Sequence, residues 1–176
     1  MRNFILFFLL ILVPAMAGCD RIYGVLHPPA AEERKLLGTV VYNEYNARVE
    51  ELQKYLKLLG YKINRPDGKF GQSSRDAVAK FQEEDGLKVT RLVDKQTWER
   101  IQYYIQSPLV NKHAINGLAI QKVLQEAGYD PGPLDGHLGP LAQKALKRFQ
   151  KDNDLEPDGL IGLETFRALL NKGAKN

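Results

Sequence analysis

Residues 117–169 read GLAIQKVLQEAGYDPGPLDGHLGPLAQKALKRFQKDNDLEPDGLIGLETFRAL, and residues 49–101 read VEELQKYLKLLGYKINRPDGKFGQSSRDAVAKFQEEDGLKVTRLVDKQTWERI. The two 53-residue stretches lie over one another without a gap, 68 residues apart, and share fourteen identical positions. Among these are Gln53/Gln121, Gly60/Gly128, Tyr61/Tyr129, Asp67/Asp135, Gly68/Gly136, Gly71/Gly139, Phe81/Phe149, Gln82/Gln150 and Thr97/Thr165. A repeat at fixed spacing sets the architecture before any single motif does. The chain is therefore two similar small modules, and its function lies in what such a module binds.

Each module reads as three short helices. Val49, Leu52, Leu56 and Leu59 recur at helical spacing before Gly60, and Ile120, Val123, Leu124 and Ala127 do so before Gly128. An Asp-Gly turn then leads to Gly71 or Gly139. The second helix follows, with Ala77, Val78 and Phe81 in one copy and Ala145, Leu146 and Phe149 in the other. Ser73 is expected to cap it in the first copy, and Pro140 suits its first position in the second. The third helix carries Trp98, Ile101 and Ile105, or Phe166, Leu169 and Leu170, with Asp94 as a cap in the first copy. The fold class is all-α: two tandem three-helix modules. A unit of about 55 residues has a marginal core alone. Two modules packed together and two independent beads both remain open.

Outward from the repeat, the N-terminus is the next informative feature. Arg2 precedes a ten-residue apolar run, Phe4 to Val13, too short for a membrane span of roughly 20 residues. Pro14-Ala15-Met16-Ala17-Gly18 leads to Cys19, the sole cysteine. A charged start, a short apolar core and small residues read as an export signal, and the Ala-Gly-Cys end resembles a bacterial lipoprotein signal. That resemblance implies cleavage after residue 18 and lipidation of Cys19, with the chain held to a membrane on the periplasmic side. Asp20 is compatible with retention at an inner membrane. No intramolecular disulfide is possible with one cysteine. The expected layout is signal 1–18, lipidated Cys and tether 19–47, first module 48–106, linker 107–116, second module 117–171 and tail 172–176. Within the tether, residues 30–38 suggest a short helix closed by Gly38. Asn116-Gly117 reads as a turn.

A net charge of +4 is spread over interspersed charges of both signs. No basic stripe supports a nucleic-acid partner. His27, His113 and His137 fall in leader, linker and loop, without zinc-ligand spacing. Outside the repeats the chain is too short for a separate catalytic domain. The reading is of a non-enzyme without cofactor or metal.

The order Leu59-Gly60-Tyr61, Asp67-Gly68-Lys69-Phe70-Gly71, Ala77-Val78-Ala79-Lys80-Phe81-Gln82, Gly86-Leu87 and Thr97-Trp98 resembles the small three-helix peptidoglycan-binding domain often found beside cell-wall hydrolases. The second module matches with Ala127-Gly128-Tyr129, Asp135 to Gly139, Ala145 to Gln150, Asp158 to Gly162 and Thr165-Phe166. The resemblance covers both repeats. It departs at Thr90-Arg91, where the pattern has Asp-Gly, at Asp94, which replaces that motif's last Gly, and at Asp154, which replaces a Gly. The third helix of module one is therefore expected to start from a different turn.

The resemblance implies peptidoglycan as partner, a polymer of acidic peptide stems and N-acetylated sugars. Carboxylates and acetamide carbonyls need backbone N–H donors, which helix N-termini supply. The implied ligand-binding candidates are Tyr129, Asp135, Gly136, His137, Gly139, Asp158 and Gly159 in module two, with Tyr61, Asp67, Gly68 and Gly71 in module one. Asp-Gly is equally a turn pair whose glycine supplies positive φ, and the four glutamines can bond loop backbone as readily as ligand. Two functions follow: a non-catalytic lipoprotein linking a membrane anchor to the wall, or an adaptor that positions an envelope protein partner such as a wall hydrolase.

Overall fold

The computed structural model describes residues 28–37 and 44–173. The signal, Cys19 and about half of the tether lie outside the described residues, as does the end of the tail.

Seven helices order these residues. They are α1 (Pro28–Leu37), α2 (Ala47–Leu58), α3 (Gln72–Glu84), α4 (Lys95–Ile105), α5 (Gly117–Glu126), α6 (Pro140–Asp152) and α7 (Leu163–Gly173). Two-residue strands β1 (Val110–Asn111) and β2 (Ala114–Ile115) pair antiparallel between α4 and α5. The fold is all-α, as the periodicity predicts, apart from this hairpin. Its turn residues Lys112 and His113 take positive φ of 47° and 63°, the backbone of a two-residue hairpin turn. Neither residue is one that composition would mark for it.

The helix boundaries follow from their caps. The Asn46 side chain accepts from Arg48 N and Val49 N to start α2, and Asp94 accepts from Thr97 N at 2.8 Å to start α4. Asn116, expected as a turn, is the cap of α5. Pro140 opens α6. Ser73 does not cap α3: the cap residue is Gly71, whose carbonyl takes Arg75 N at 3.1 Å, and exposed Ser73 sits inside the first turn. Gly60, at φ 93°, ends α2 with Tyr61 N on Leu56 O and its own N–H on Lys57 O, the two bonds of a Schellman motif.

One apolar core runs through both modules. Leu52, Leu56, Val78, Phe81 and Ile101 fill the first, and Ile120, Leu124, Phe149, Phe166 and Leu169 the second. Tyr104 joins them, edge-on to Phe81 at 6.3 Å and to Phe166 at 6.0 Å. The modules thus pack together. A Cβ on Gly60 would lie 2.8 Å from Gly162 Cα, so only glycine allows this approach of the backbones. Around it, Asp85 accepts from Arg100 Nε (2.6 Å), Tyr104 Oη (2.6 Å) and Arg167 Nη2 (3.0 Å). Arg167 also reaches Glu84 O.

The helix expected near residues 30–38 is α1, and it packs on module one against α2 and α4. Leu37 is in the core. Asn46 Nδ2 donates to Leu37 O and Arg48 Nη1 to Leu36 O.

Candidate functional site

Four buried glutamines organise the loops of the repeat. In module one, Gln53 Nε2 donates to Asp67 Oδ1, Lys69 O and Ser74 Oγ, and its Oε1 accepts from Asp67 N and Gly68 N. Gln121 does the same in module two, donating to Pro133 O, Asp135 Oδ1 and His137 O and accepting from Gly136 N. On the second helices, Gln82 binds Thr90 Oγ1, Leu92 O and Thr97 Oγ1. Gln150 binds Asp158 Oδ1, Leu160 O and Thr165 Oγ1. With the Thr90 and Arg91 N–H groups on Gln82 and the Gly159 N–H on Gln150, each amide satisfies four or five polar groups of the loops and helix starts, which explains why both glutamine positions repeat.

The clamp also overrides the sequence departures. Thr90-Arg91 forms the same turn as Asp158-Gly159, with Arg91 at φ 63° where Gly159 has 77°. Thr90 Oγ1 replaces the Asp carboxylate as the acceptor for the glutamine amide. The expectation of a different turn is therefore corrected: Gln82 holds a non-glycine residue in the left-handed region. Asp154 sits likewise at φ 57°, opposite Gly86 at 70°.

The sequence-predicted residues fall into three places. Asp67 and Asp135 build the first turns of the two modules. The Lys69 N–H and the Gln53 amide hold the Asp67 carboxyl below its ordinary range, and the Gln121 amide and His137 N–H do so for Asp135. Gly68 and Gly136 take positive φ there. Gly71 and Gly139 begin α3 and α6, and a Cβ at either would meet nothing within 4 Å. The backbone at both helix starts is open to approach. Tyr61 and Tyr129 part ways. Tyr61 is buried and donates to Glu84 Oε2 at 2.7 Å, and burial pushes its hydroxyl pKa up. Half-buried Tyr129 donates to Asp152 Oδ2 at 3.1 Å. Tyr61 and Asp158 come together in a cleft of about 550 Å³ between the modules, edged by Lys62, Lys80, Glu156 and Glu164.

A second concavity lies on module two, with Ile115 of the connecting hairpin at its edge. This groove of about 290 Å³ is lined by Ile120, Leu138, Ala142, Leu146, Leu160 and Ile161. Gly159 also lines it, so the loops Asp135–Gly139 and Asp158–Gly162 form its two sides. Among the described residues, Ile161 N–H makes no hydrogen bond. The groove therefore offers an apolar wall beside an available backbone donor. Sequence reasoning marked the two flanking Asp-Gly loops but missed the apolar wall between them, because that lining is ordinary core lettering with one face left uncovered.

The same surface on module one is covered. Val93 and Phe70, equivalent to half-buried Ile161 and Leu138, are 0% and 1% exposed. Leu92 is 2% exposed, whereas its equivalent Leu160 is 67% exposed. On this surface, Glu33 of α1 accepts from Val93 N at 3.0 Å and lies 3.5 Å from Arg75 Nη1. Gln143 stands at the position of Arg75 in module two.

Among the described residues, no group of three or more His, Cys, Asp and Glu is placed to hold a metal ion. No helix among them is long and apolar enough to cross a membrane.

Comparison with known proteins matches residues 45–101 and 118–169 to a family described as "Putative peptidoglycan binding domain". Over 105 residues, 53% of the chain, it is 30% identical to N-acetylmuramoyl-L-alanine amidase CwlM of Mycobacterium tuberculosis. Over 49 residues, 28% of the chain, it is 39% identical to localization factor PodJL of Caulobacter vibrioides. The matched stretches span 25% of the first relative's length and 5% of the second's. No solved structure matches the chain.

Proposed function

The chain belongs to the peptidoglycan-binding domain family over both of its repeats, and from that premise we propose that it is a non-catalytic wall-binding lipoprotein. Lipidated Cys19 ties it to a membrane, and the second module grips peptidoglycan. The observation that carries the reading is the open groove of module two, with its apolar wall and the available Ile161 N–H. A stem peptide presents both complements, methyl groups and a carboxylate. Leu138 and Gly159 line the groove from its two flanking loops, and the candidates Asp135, Gly136, His137 and Gly139 on one loop and Asp158 on the other stand beside it to meet what enters. Tyr129 and the module-one residues Asp67 and Gly71 extend the candidate surface toward the sugars, whereas Tyr61 and Gly68 of module one are buried. The fold alone does not fix function, so the reading stands on the groove.

Co-sedimentation of the full chain, in mild detergent, with protein-free sacculi tests it. Leu160→Glu sets a carboxylate at the groove mouth on an exposed side chain, so the fold should survive while pelleting falls. Gln143→Arg, which supplies the cation that module one already has, should strengthen pelleting. The Asp135→Ala/His137→Ala pair reports whether the loop itself touches the wall. A folded chain that stays in the supernatant refutes wall binding. One observation favours a second reading, as a protein adaptor: the occupant of the equivalent surface on module one is a protein helix. Capture of a specific envelope protein without sacculi would favour it.

A further inference from the structure

The two modules repeat a sequence, but they do not present the same surface. Matched residue by residue through the 68-residue offset, Glu33 of α1 lies on module one where the groove of module two holds none of the described residues. Glu33 is 6% exposed, and its carboxylate takes the Val93 N–H and faces the Arg75 guanidinium. Arg75 in turn lies over the Phe70 ring at 4.5 Å and donates to Arg91 O. This is a complete carboxylate site: a backbone donor, a cation and an apolar wall. In module two the donor and the wall remain, and the cation is replaced by Gln143.

We propose that module one carries a second peptidoglycan site, a carboxylate pocket at Val93 N–H and Arg75, and that α1 closes it by inserting Glu33 as an internal ligand. The proposal rests on the wall-binding reading and adds its regulation. Helix α1 has ten residues, below the roughly 12–15 at which an isolated helix holds in water, so docking is what keeps it formed. Its attachment to the chain gives Glu33 a high effective concentration at the pocket. A free carboxylate in solution competes poorly with it, whereas the dense array of stem carboxylates in a wall competes well. The chain then binds through module two first and recruits module one when α1 gives way. A ligand shifts such an equilibrium only by its differential affinity for the open form, and Arg75 supplies that difference because it pairs with the incoming carboxylate only after Glu33 has left.

Amide-resolved NMR of the full chain in detergent micelles tests this, with a soluble synthetic stem pentapeptide bearing a free C-terminal carboxylate as probe. In the unmodified chain the Ile161 amide should shift with added peptide and the Val93 amide should not. In Glu33→Gln, which keeps the helix but removes the anionic ligand, Val93 should shift as well. Glu33→Lys, which sets a second cation against Arg75, should open the pocket further and make the Val93 shift larger. Val93 silent in both variants while Ile161 responds would overturn the proposal and leave wall binding standing. An equal Val93 shift in the unmodified chain would also overturn it, since α1 would then close nothing. Loss of resonance dispersion across module one in both variants would make α1 a structural brace and overturn it too. If neither amide moves in any form, the wall-binding reading falls and takes the second site with it.

Discussion

A buried glutamine is usually read as a compromise between core and solvent, and here four of them hold the loops. Gln121 is 1% exposed and saturates both ends of its amide. Gln121→Ala would strand Gly136 N–H and two or three acceptors, at a cost of about 3 kcal/mol from unsatisfied groups, read as a lower urea midpoint. An unchanged midpoint would mean that water replaces the amide and the clamp is dispensable. Arg91 tests the same clamp from the other side. Its left-handed backbone costs a side-chain-bearing residue about 1–2 kcal/mol, partly offset by the chain entropy that glycine would lose. Arg91→Gly should therefore stabilise module one by about 0.5 kcal/mol, the residual of those two terms. Gly159→Ala, at φ 77°, should destabilise module two. Equal signs for the pair would contradict a shared turn. The turns themselves were legible in the sequence as Asp-Gly pairs. That Thr90-Arg91 forms one was not, because the force holding it comes from Gln82, eight residues away and on another element.

At the scale of the element, helices α2 to α7 were readable because each carries apolar residues at helical spacing and ends at a residue with a mechanical reason to end it. The part that eluded reading is where an element docks. Helix α1 shows a plausible helical stretch, but nothing in its periodicity says that Glu33 reaches Val93, sixty residues away. The open groove is illegible for the complementary reason: Leu160 and Leu92 are the same letter, one exposed and one buried. Asn46 links the two helices that matter here, since its Oδ1 caps α2 while its Nδ2 holds Leu37 O at 2.7 Å. Asn46→Ala removes both, at about 2 kcal/mol: roughly 1 for the cap and about 1 for the remaining bond. Asn46→Asp keeps the cap and loses only the donor, so its cost should be about half. Hydrogen exchange should show α1 opening in both variants, and an unaffected α1 would mean that Leu37 packing alone retains it.

For the whole molecule, the question is whether two repeats behave as one cooperative body. Their junction centres on Asp85, whose side chain is 1% exposed and meets Arg100, Arg167 and Tyr104. Burial alone would raise its pKa, but hydrogen bonds from Arg100 and Tyr104 and the charges of both arginines outweigh this, leaving it below the ordinary 3.8. A carboxyl depressed in the folded state contributes stability above its unfolded pKa and loses it as pH falls through the folded one. The junction should therefore be insensitive to pH through the neutral range and weaken only below about pH 4. Asp85→Ala leaves two arginines facing each other without their acceptor and should cost about 3 kcal/mol at neutral pH, the loss typical of removing one partner from a buried ion pair. Scanning calorimetry should show one transition for the unmodified chain at neutral pH and two for the variant, because module two retains its own core of Phe149, Phe166 and Leu169. The variant should also lose part of the acid sensitivity, since the group that titrates at the junction is gone. An identical acid slope with and without Asp85 would place that sensitivity elsewhere, on exposed carboxylates such as Asp67 and Asp135, whose shifts have the same sign. A single transition in Asp85→Ala would show that Tyr104, edge-on to both Phe81 and Phe166, is enough to join the modules.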